Sequence, residues 1–131
     1  PSKKLRSLCE KTGVKLISNP SEKELFKLIQ EAQIHLLYTS IPSGVKLKLL
    51  ACIHSSGRIL VNDKMIGDPI LSKFCTVASD AKEFKLDYLG IQHTPVSKEE
   101  FDERAAFISS NFNNARNCQL IKKLISNEQD H

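Results

Sequence analysis

Short apolar runs alternate with amphipathic helical patterns along most of the chain. Apolar runs of strand length predict four strands, and apolar residues at helical spacing between them predict helices. The predicted strands cover residues 14–17, 34–38, 58–62 and 75–78, and the predicted helices cover 2–12, 21–32, 44–56, 69–73 and 80–89. Ser21-Glu-Lys-Glu24 is a capping box that starts the second helix, and Gly13 and Gly57 are interpreted as the stops of the first and third helices. The alternation of strands and helices is typical of a parallel sheet covered by helices.

The pattern changes after residue 94, where two helices follow each other without a strand between them. Ser97-Lys-Glu-Glu100 is a capping box, and Asn113-Asn114 separates its helix from a second helical pattern that continues to Ile125. Residues 1–131 are therefore predicted to form one α/β domain. Its expected architecture is a three-layer α/β/α Rossmann-like parallel sheet with two extra C-terminal helices.

The stretch from Ile34 to Ile53 reads as a buried strand, a short loop and a helix that begins at Gly44. Lys46 and Lys48 would then lie in the first helical turns, where the helix dipole disfavours cations by roughly 0.3–1 kcal/mol each. Two interpretations stay open: an anion site, with phosphate as the common occupant, or a solvated helix start with two exposed lysines.

Composition limits the classes of function. The chain has 131 residues, a net charge of +4, and four cysteines without a Cys-x-x-Cys pair, so neither zinc nor a disulfide framework is indicated. The charge is too small for binding that rests on many phosphate contacts, and we expect no nucleic-acid partner. No apolar run has the length of a membrane span. Because the chain begins at Pro1, we expect it to be part of a longer protein.

Three histidines and two arginines are interpreted as structural residues and not as catalytic or metal-binding ones. His35 is expected to be a core or near-surface residue, and His54 and His93 lack neighbours at metal-ligand spacing, so no metal is expected. Arg104 and Arg116 are interpreted as surface partners of nearby carboxylates.

Several segments together resemble the donor-binding C-terminal half of retaining GT-B glycosyltransferases, the glycosyltransferase 4 group. The resemblance runs from about Val14 to Ile125. Its segments are Asn19-Pro-Ser-Glu-Lys-Glu-Leu25, Ala32-Gln-Ile-His-Leu-Leu37, Ser43-Gly-Val-Lys-Leu-Lys-Leu-Leu-Ala51 and Gly57-Arg-Ile-Leu-Val-Asn62. Gly44, Lys46, Leu47 and Lys48 match the family's Gly-x-(Lys/Arg)-Leu-Lys pattern.

The resemblance implies a nucleotide-sugar as donor substrate and no separate cofactor. The residues expected around the diphosphate are Ser43, Gly44, Val45, Lys46 and Lys48; those on the sugar and ribose side are Thr39, Ser40 and Ala51; those on the base side are Asn19 and Ser21. The family often has two glutamates eight positions apart, and this chain has Ser43 and Ala51 in their places. No catalytic residue is assigned.

The resemblance further implies a hexosyl-transferring enzyme of glycan biosynthesis. Its acceptor glycan would be held by an N-terminal half that this chain lacks, so the chain alone is expected to be inactive. The expected location is the cytoplasm, with peripheral membrane association of the full-length enzyme. The alternative is a non-enzymatic, receiver-like interaction module. Phe107 and Phe112 are expected to contribute to an exposed apolar patch or to self-association.

Overall fold

A computed structural model describes residues 1–42 and 46–112. The described residues form five α-helices, three strands and two short 3-10 helices. In chain order these are α1 (Lys3–Thr12), α2 (Glu22–Glu31), β1 (Ile34–Leu37), α3 (Leu47–Ile53), β2 (Arg58–Asn62), 3-10 helices at Asp63–Met65 and Pro69–Phe74, β3 (Thr76–Ala78), α4 (Ala81–Ile91) and α5 (Lys98–Phe112).

The three strands form one parallel sheet in the order β1-β2-β3. His35 lies opposite Ile59, Leu37 lies opposite Val61, and Val61 lies opposite Val77. The prediction of an α/β protein with a parallel sheet is confirmed. Parallel strands need long crossover connections, and α3 and the 3-10 segment supply them here.

The main core lies between one face of β2 and the helices that cover it. Ile59 and Val61 point to this face because alternate residues of a strand share a side. Its buried members are Leu49, Leu50, Cys52, Ile53, Ile59, Val61, Met65, Leu71, Phe74 and Phe107. Leu60 is fully buried on the opposite face of the sheet, and α4 packs against β2 and β3. The apolar centre of β2 is therefore shielded on both sides, as its sequence predicts.

The helix ends follow the capping residues of the sequence. Ser21 and Glu24 form the predicted capping box at the start of α2, and Gly13 ends α1 with a left-handed φ of 71°. These two features confirm the predicted bounds of α1 and the start of α2. A glycine is favoured at the end of α1 because it adopts positive φ without strain from a Cβ.

The predicted strand at 14–17 is wrong. These four residues have no regular secondary structure, and Val14 and Ile17 are exposed. The N–H of Val14 donates to the carbonyl of Cys9, a hydrogen bond that belongs to the left-handed cap of α1. The segment thus begins by completing a helix end rather than by pairing with a strand.

The helix predicted over 44–56 is shorter than expected, because α3 covers only Leu47–Ile53. Lys46 is its extended N-cap residue, with φ −90° and ψ 91°, and its carbonyl accepts the first helical hydrogen bonds. At the other end, Ser55 donates from both its N–H and its hydroxyl to the carbonyl of Cys52. These bonds turn the backbone out of the helix before Gly57.

Phe107 is buried, so its predicted contribution to an exposed patch is wrong. Its ring lies 5.0 Å from that of Phe74, and both rings belong to the main core. The helix α5 thus folds onto its own domain through this contact. The predicted second helix from Cys118 to Ile125 and the side chain of Phe112 lie outside the described residues.

Within the described part of the chain, no helix has both the length and the apolar character needed to cross a membrane.

Candidate functional site

The loop after β1 is tied to the end of β2 by one asparagine. The side-chain oxygen of Asn62 accepts from the backbone N–H of Thr39 at 3.1 Å, and its amide donates to the carbonyl of Thr39 at 2.8 Å. Asn62 is only 4% exposed. The Asn62 side chain therefore replaces a strand neighbour for Thr39, two residues after β1 ends, and fixes the direction in which the loop leaves the sheet.

Thr39 also makes a local turn. Its hydroxyl accepts from the N–H of Ile41 at 3.2 Å, while Ser40 is exposed. Of the predicted sugar-side residues, Thr39 and Ser40 therefore lie together on this loop. Ala51 lies partly buried in the middle of α3.

The predicted diphosphate residues are only partly described. Ser43, Gly44 and Val45 lie outside the described residues. Lys46 is partly buried, and its Nζ donates to the carbonyl of Ile41 at 3.0 Å. Lys48 is exposed, near the start of α3. The two lysines therefore follow the loop closely in sequence, but Lys46 precedes the helix instead of lying within its first turn.

The predicted base-side residues have defined backbone roles. Asn19 adopts a left-handed φ of 49°, which asparagine tolerates better than most residues. The hydroxyl of Ser21 donates to Glu24 at 2.8 Å and accepts from its N–H at 3.3 Å. The backbone N–H of Ser21 also donates to the Glu24 carboxylate, at 2.8 Å. This bond, and then the bond from the Ser21 hydroxyl, lower the pKa of Glu24. Ser21 is therefore engaged in capping α2.

Sequence reasoning missed a buried polar cluster where β1 and β2 begin. His35, Ser55 and Arg104 are 6%, 1% and 3% exposed, respectively. The Nε2 of His35 lies 2.7 Å from the Ser55 hydroxyl, which donates to the carbonyl of Cys52 at 2.6 Å. Because the hydroxyl has a single hydrogen, it accepts from His35, and Nε2 carries the imidazole proton. Burial, and then the charge of Arg104, lower the pKa of His35, which favours the neutral ring.

The position of the His35 imidazole requires a glycine at residue 57. A Cβ at residue 57 would lie 2.6 Å from the carbonyl oxygen of Ala32 and 2.7 Å from the Nε2 of His35. Both neighbours are fixed, one by the backbone and the other by its hydrogen bond to Ser55. The glycine read from sequence as a helix stop is therefore a close-approach site.

Arg104 is buried, so its interpretation as a surface residue is wrong. Its Nη1 donates to the carbonyls of Ser55 and Gly57 at 3.2 and 2.8 Å. Burial lowers the pKa of its guanidinium, while the nearby Glu100 raises it. The side chain links α5 to the turn between α3 and β2. An arginine four residues after Glu100 on a helix resembles an ordinary surface pair, so the sequence carried no signal of burial.

The described cysteines behave as small core residues or surface thiols. Burial raises the pKa of Cys52 to about 12 and that of Cys75 to about 11. Thiols with such pKa values form very little thiolate near neutral pH, so neither is a reactive nucleophile. Among residues 1–42 and 46–112, no group of histidine, cysteine, aspartate and glutamate side chains could hold a metal ion.

No protein-family model matches the chain, and searches of curated proteins and of solved structures find no match. The class defined by the described residues is therefore a small α/β protein with a three-stranded parallel sheet.

Proposed function

We propose that this chain is the nucleotide-sugar-binding part of a retaining GT-B glycosyltransferase with a three-layer Rossmann-like architecture. The proposal rests on one observation. Within the resemblance, the stretch from Ile34 to Asn62 contains the edge strand β1, α3 and β2, in a sheet whose described strands all run parallel.

The topology supports a ligand site at the carboxyl ends of the strands. In open parallel sheets, ligands bind in the crevice outside these ends. Thr39 and Ser40 follow the carboxyl end of β1, and Asn62 holds Thr39 in place through two hydrogen bonds. A loop fixed in this way offers a ligand a surface that needs little ordering on binding, which favours affinity.

The two lysines supply the charge that a diphosphate needs. The ammonium group of Lys46 donates to the loop carbonyl of Ile41, so a cation lies beside the loop. Lys48 is exposed and adds a second cation two residues later. In this proposal the diphosphate would also be contacted by the backbone of Ser43, Gly44 and Val45.

In this proposal the lysines stabilise the departing nucleoside diphosphate. The anomeric carbon of the donor sugar exchanges its bond to a diphosphate oxygen for a bond to an acceptor hydroxyl oxygen, and the hydroxyl proton passes to the departing diphosphate. Negative charge develops on the leaving diphosphate, and nearby cations stabilise that charge more in the transition state than in the bound donor. The acceptor, a glycan, would be held by another part of a longer chain.

Calorimetry with the diphosphates of uridine, guanosine and adenosine tests the proposal. We expect one of them to bind, and the Lys46→Ala/Lys48→Ala variant to lose at least about tenfold in affinity, because a charged contact contributes about 1.5–3 kcal/mol. The control is Lys11→Ala/Lys98→Ala, which makes the same change in net charge on other helices. Equal losses in both double variants, or no binding at about 1 mM ligand by folded protein, would contradict the proposal.

A further inference from the structure

A groove with both polar and apolar lining lies at the edge of the sheet where β1 and β2 begin. Ile34 and Arg58, the first residues of these strands, line it together with the end of α2 and the 91–96 segment. Its volume is about 450 Å³, and an adjoining cavity of about 390 Å³ shares Gln33, Ile34, Gln92 and His93 with it. We call the two together the amino-edge groove.

Arg58 fixes one wall of the amino-edge groove. Its Nε donates to the carbonyl of Thr94 at 2.7 Å, and its Nη2 donates to the carbonyl of Pro95 at 2.9 Å. Its Nη1 lies 2.9 Å from Glu100 Oε2 in an ion pair. All three guanidinium nitrogens are therefore engaged. The segment after α4 is held to the first residue of β2, and the charge of Arg58 is balanced.

The groups left to meet a ligand are mainly neutral. Gln30, Gln33 and Gln92 line the groove, and their side-chain amides make no hydrogen bond with any other described residue. Each amide offers two N–H donors and a carbonyl acceptor. Tyr88, which is 40% exposed, adds an aromatic ring in the adjoining cavity. The carboxylate of Glu31 is near a countercharge, because it lies 3.9 Å from the Nζ of Lys27.

From this lining we infer that the amino-edge groove binds a neutral oligosaccharide. Sugar hydroxyls donate and accept hydrogen bonds and so match side-chain amides, and the C–H face of a sugar ring can lie against a tyrosine ring. An apolar ligand would leave the amides unpaired, which costs free energy. A strongly charged ligand would have to compete with ion pairs that already exist.

The geometry favours a saccharide over a peptide. Extended peptides are bound mainly by main-chain pairing along an exposed strand edge, with pockets for alternate side chains. The amino-edge groove lies across the starts of two strands instead. Its volume falls in the range of about 300–1,000 Å³ that is typical of small-molecule sites. The site is at the opposite end of the sheet from the proposed nucleotide-sugar loop, so the two proposals stand or fail separately.

Titration of ¹⁵N-labelled protein with maltotriose, cellotriose and chitotriose tests this site. We expect at least one trisaccharide, added to about 10 mM, to shift the side-chain NH₂ signals of Gln33 and Gln92 in a saturable way. The backbone amides of Thr39 and Lys46 should not move. Trialanine and inorganic phosphate are titrated in parallel as a peptide and an anion.

A double variant provides the second measurement. Gln33→Ala/Gln92→Ala should weaken binding of the trisaccharide by about tenfold or more, because it removes two groups that hydrogen-bond the ligand. Ser79→Ala/Ser110→Ala, which changes two exposed polar residues that do not line the groove, should bind like the parent. Three results would overturn the inference: no saturable shift with any trisaccharide, shifts only with trialanine or phosphate, or unchanged affinity in the folded glutamine variant.

Discussion

The side chain of His35, held by Ser55, leaves no room for a side chain at residue 57. The Ser55 hydroxyl is fixed by the carbonyl of Cys52, the imidazole is fixed by that hydroxyl, and residue 57 can carry no side chain beside the imidazole. A buried polar group costs little only when its hydrogen bonds are made, and here they are. The cluster therefore specifies one arrangement of the turn between α3 and β2.

The first prediction is that Gly57→Ala lowers the free energy of unfolding by about 1–3 kcal/mol. The added Cβ would overlap the Ala32 carbonyl and the imidazole of His35. The matched control is Gly90→Ala within α4, where a Cβ meets nothing within 4 Å and helix propensity predicts a gain of about 0.5–1 kcal/mol. Urea unfolding of both variants makes the comparison. A loss in both variants, or in neither, would contradict the close-approach account.

The second prediction concerns pH. Burial, and then the charge of Arg104, lower the pKa of His35 below its ordinary value of 6.5. Between that value and the lowered pKa the unfolded chain binds more protons than the folded one, so stability falls as pH decreases below 6.5. The slope contributed by one histidine is at most about 1.4 kcal/mol per pH unit.

Unfolding measured between pH 7.5 and about 5.5 tests this expectation, with His35→Gln as the comparison. A glutamine amide can still donate to Ser55, but it does not titrate. The variant should lose most of the acid-dependent decrease, whereas His54→Gln, a change at an exposed histidine, should keep it. Parallel pH curves for the parent and His35→Gln would contradict the assignment.

Local residue chemistry was predictable where it depends on near neighbours in sequence. The Ser21–Glu24 box and the glycine end of α1 are examples. Arg104 was not predictable, because the carbonyls that receive its side chain belong to Ser55 and Gly57, 49 and 47 residues away. No spacing rule connects residues so far apart.

Among the elements, β1 depends most on a contact outside itself. It is an edge strand of four residues, and among the described strands it pairs with β2 alone. Asn62 extends the connection between the two strands to Thr39, two residues beyond the end of β1, through both hydrogen bonds. The direction of the loop is therefore set by the end of the neighbouring strand.

The third prediction is that Asn62→Ala costs about 1–3 kcal/mol and releases the loop. The change leaves the N–H and carbonyl of Thr39 without their partner, and an unpaired polar group carries a penalty of that size. Hydrogen exchange at the Thr39 amide should accelerate much more than exchange at Leu60 in the centre of β2. Equal acceleration at both amides would indicate general destabilisation instead of a local release.

The type of each element was more predictable than its first and last residues. The run at 58–62 is a strand whose apolar side chains are buried, whereas Val14 in the run at 14–17 is 60% exposed. The run at 34–37, predicted as a buried strand, is instead an edge strand in which His35 is buried and Leu36 is 57% exposed. Sequence alone did not distinguish these runs, since each is short and apolar. The start of α3 was misjudged by three residues because nothing local requires Gly44 to begin a helix.

At the scale of the whole molecule, the parallel arrangement was predictable from the alternation of elements. The core then follows from the continuous apolar centre of β2, which is buried on both faces of the sheet. The packing of α5 against the core was not predictable. The same sequence pattern would place Phe107 either in the core of this domain or on an exposed surface. Its contact with Phe74 decides the outcome.

The central claim is that a nucleoside diphosphate binds at the carboxyl ends of the strands. The most direct test is to map chemical-shift changes on ¹⁵N-labelled protein during titration with uridine, guanosine and adenosine diphosphates. We predict saturable shifts at the backbone amides of Thr39, Ser40, Lys46 and Lys48, with the side-chain amides of Gln33 and Gln92 unmoved. Saturable shifts confined to the amino-edge groove, or none at about 5 mM of any of the three ligands, would contradict the claim.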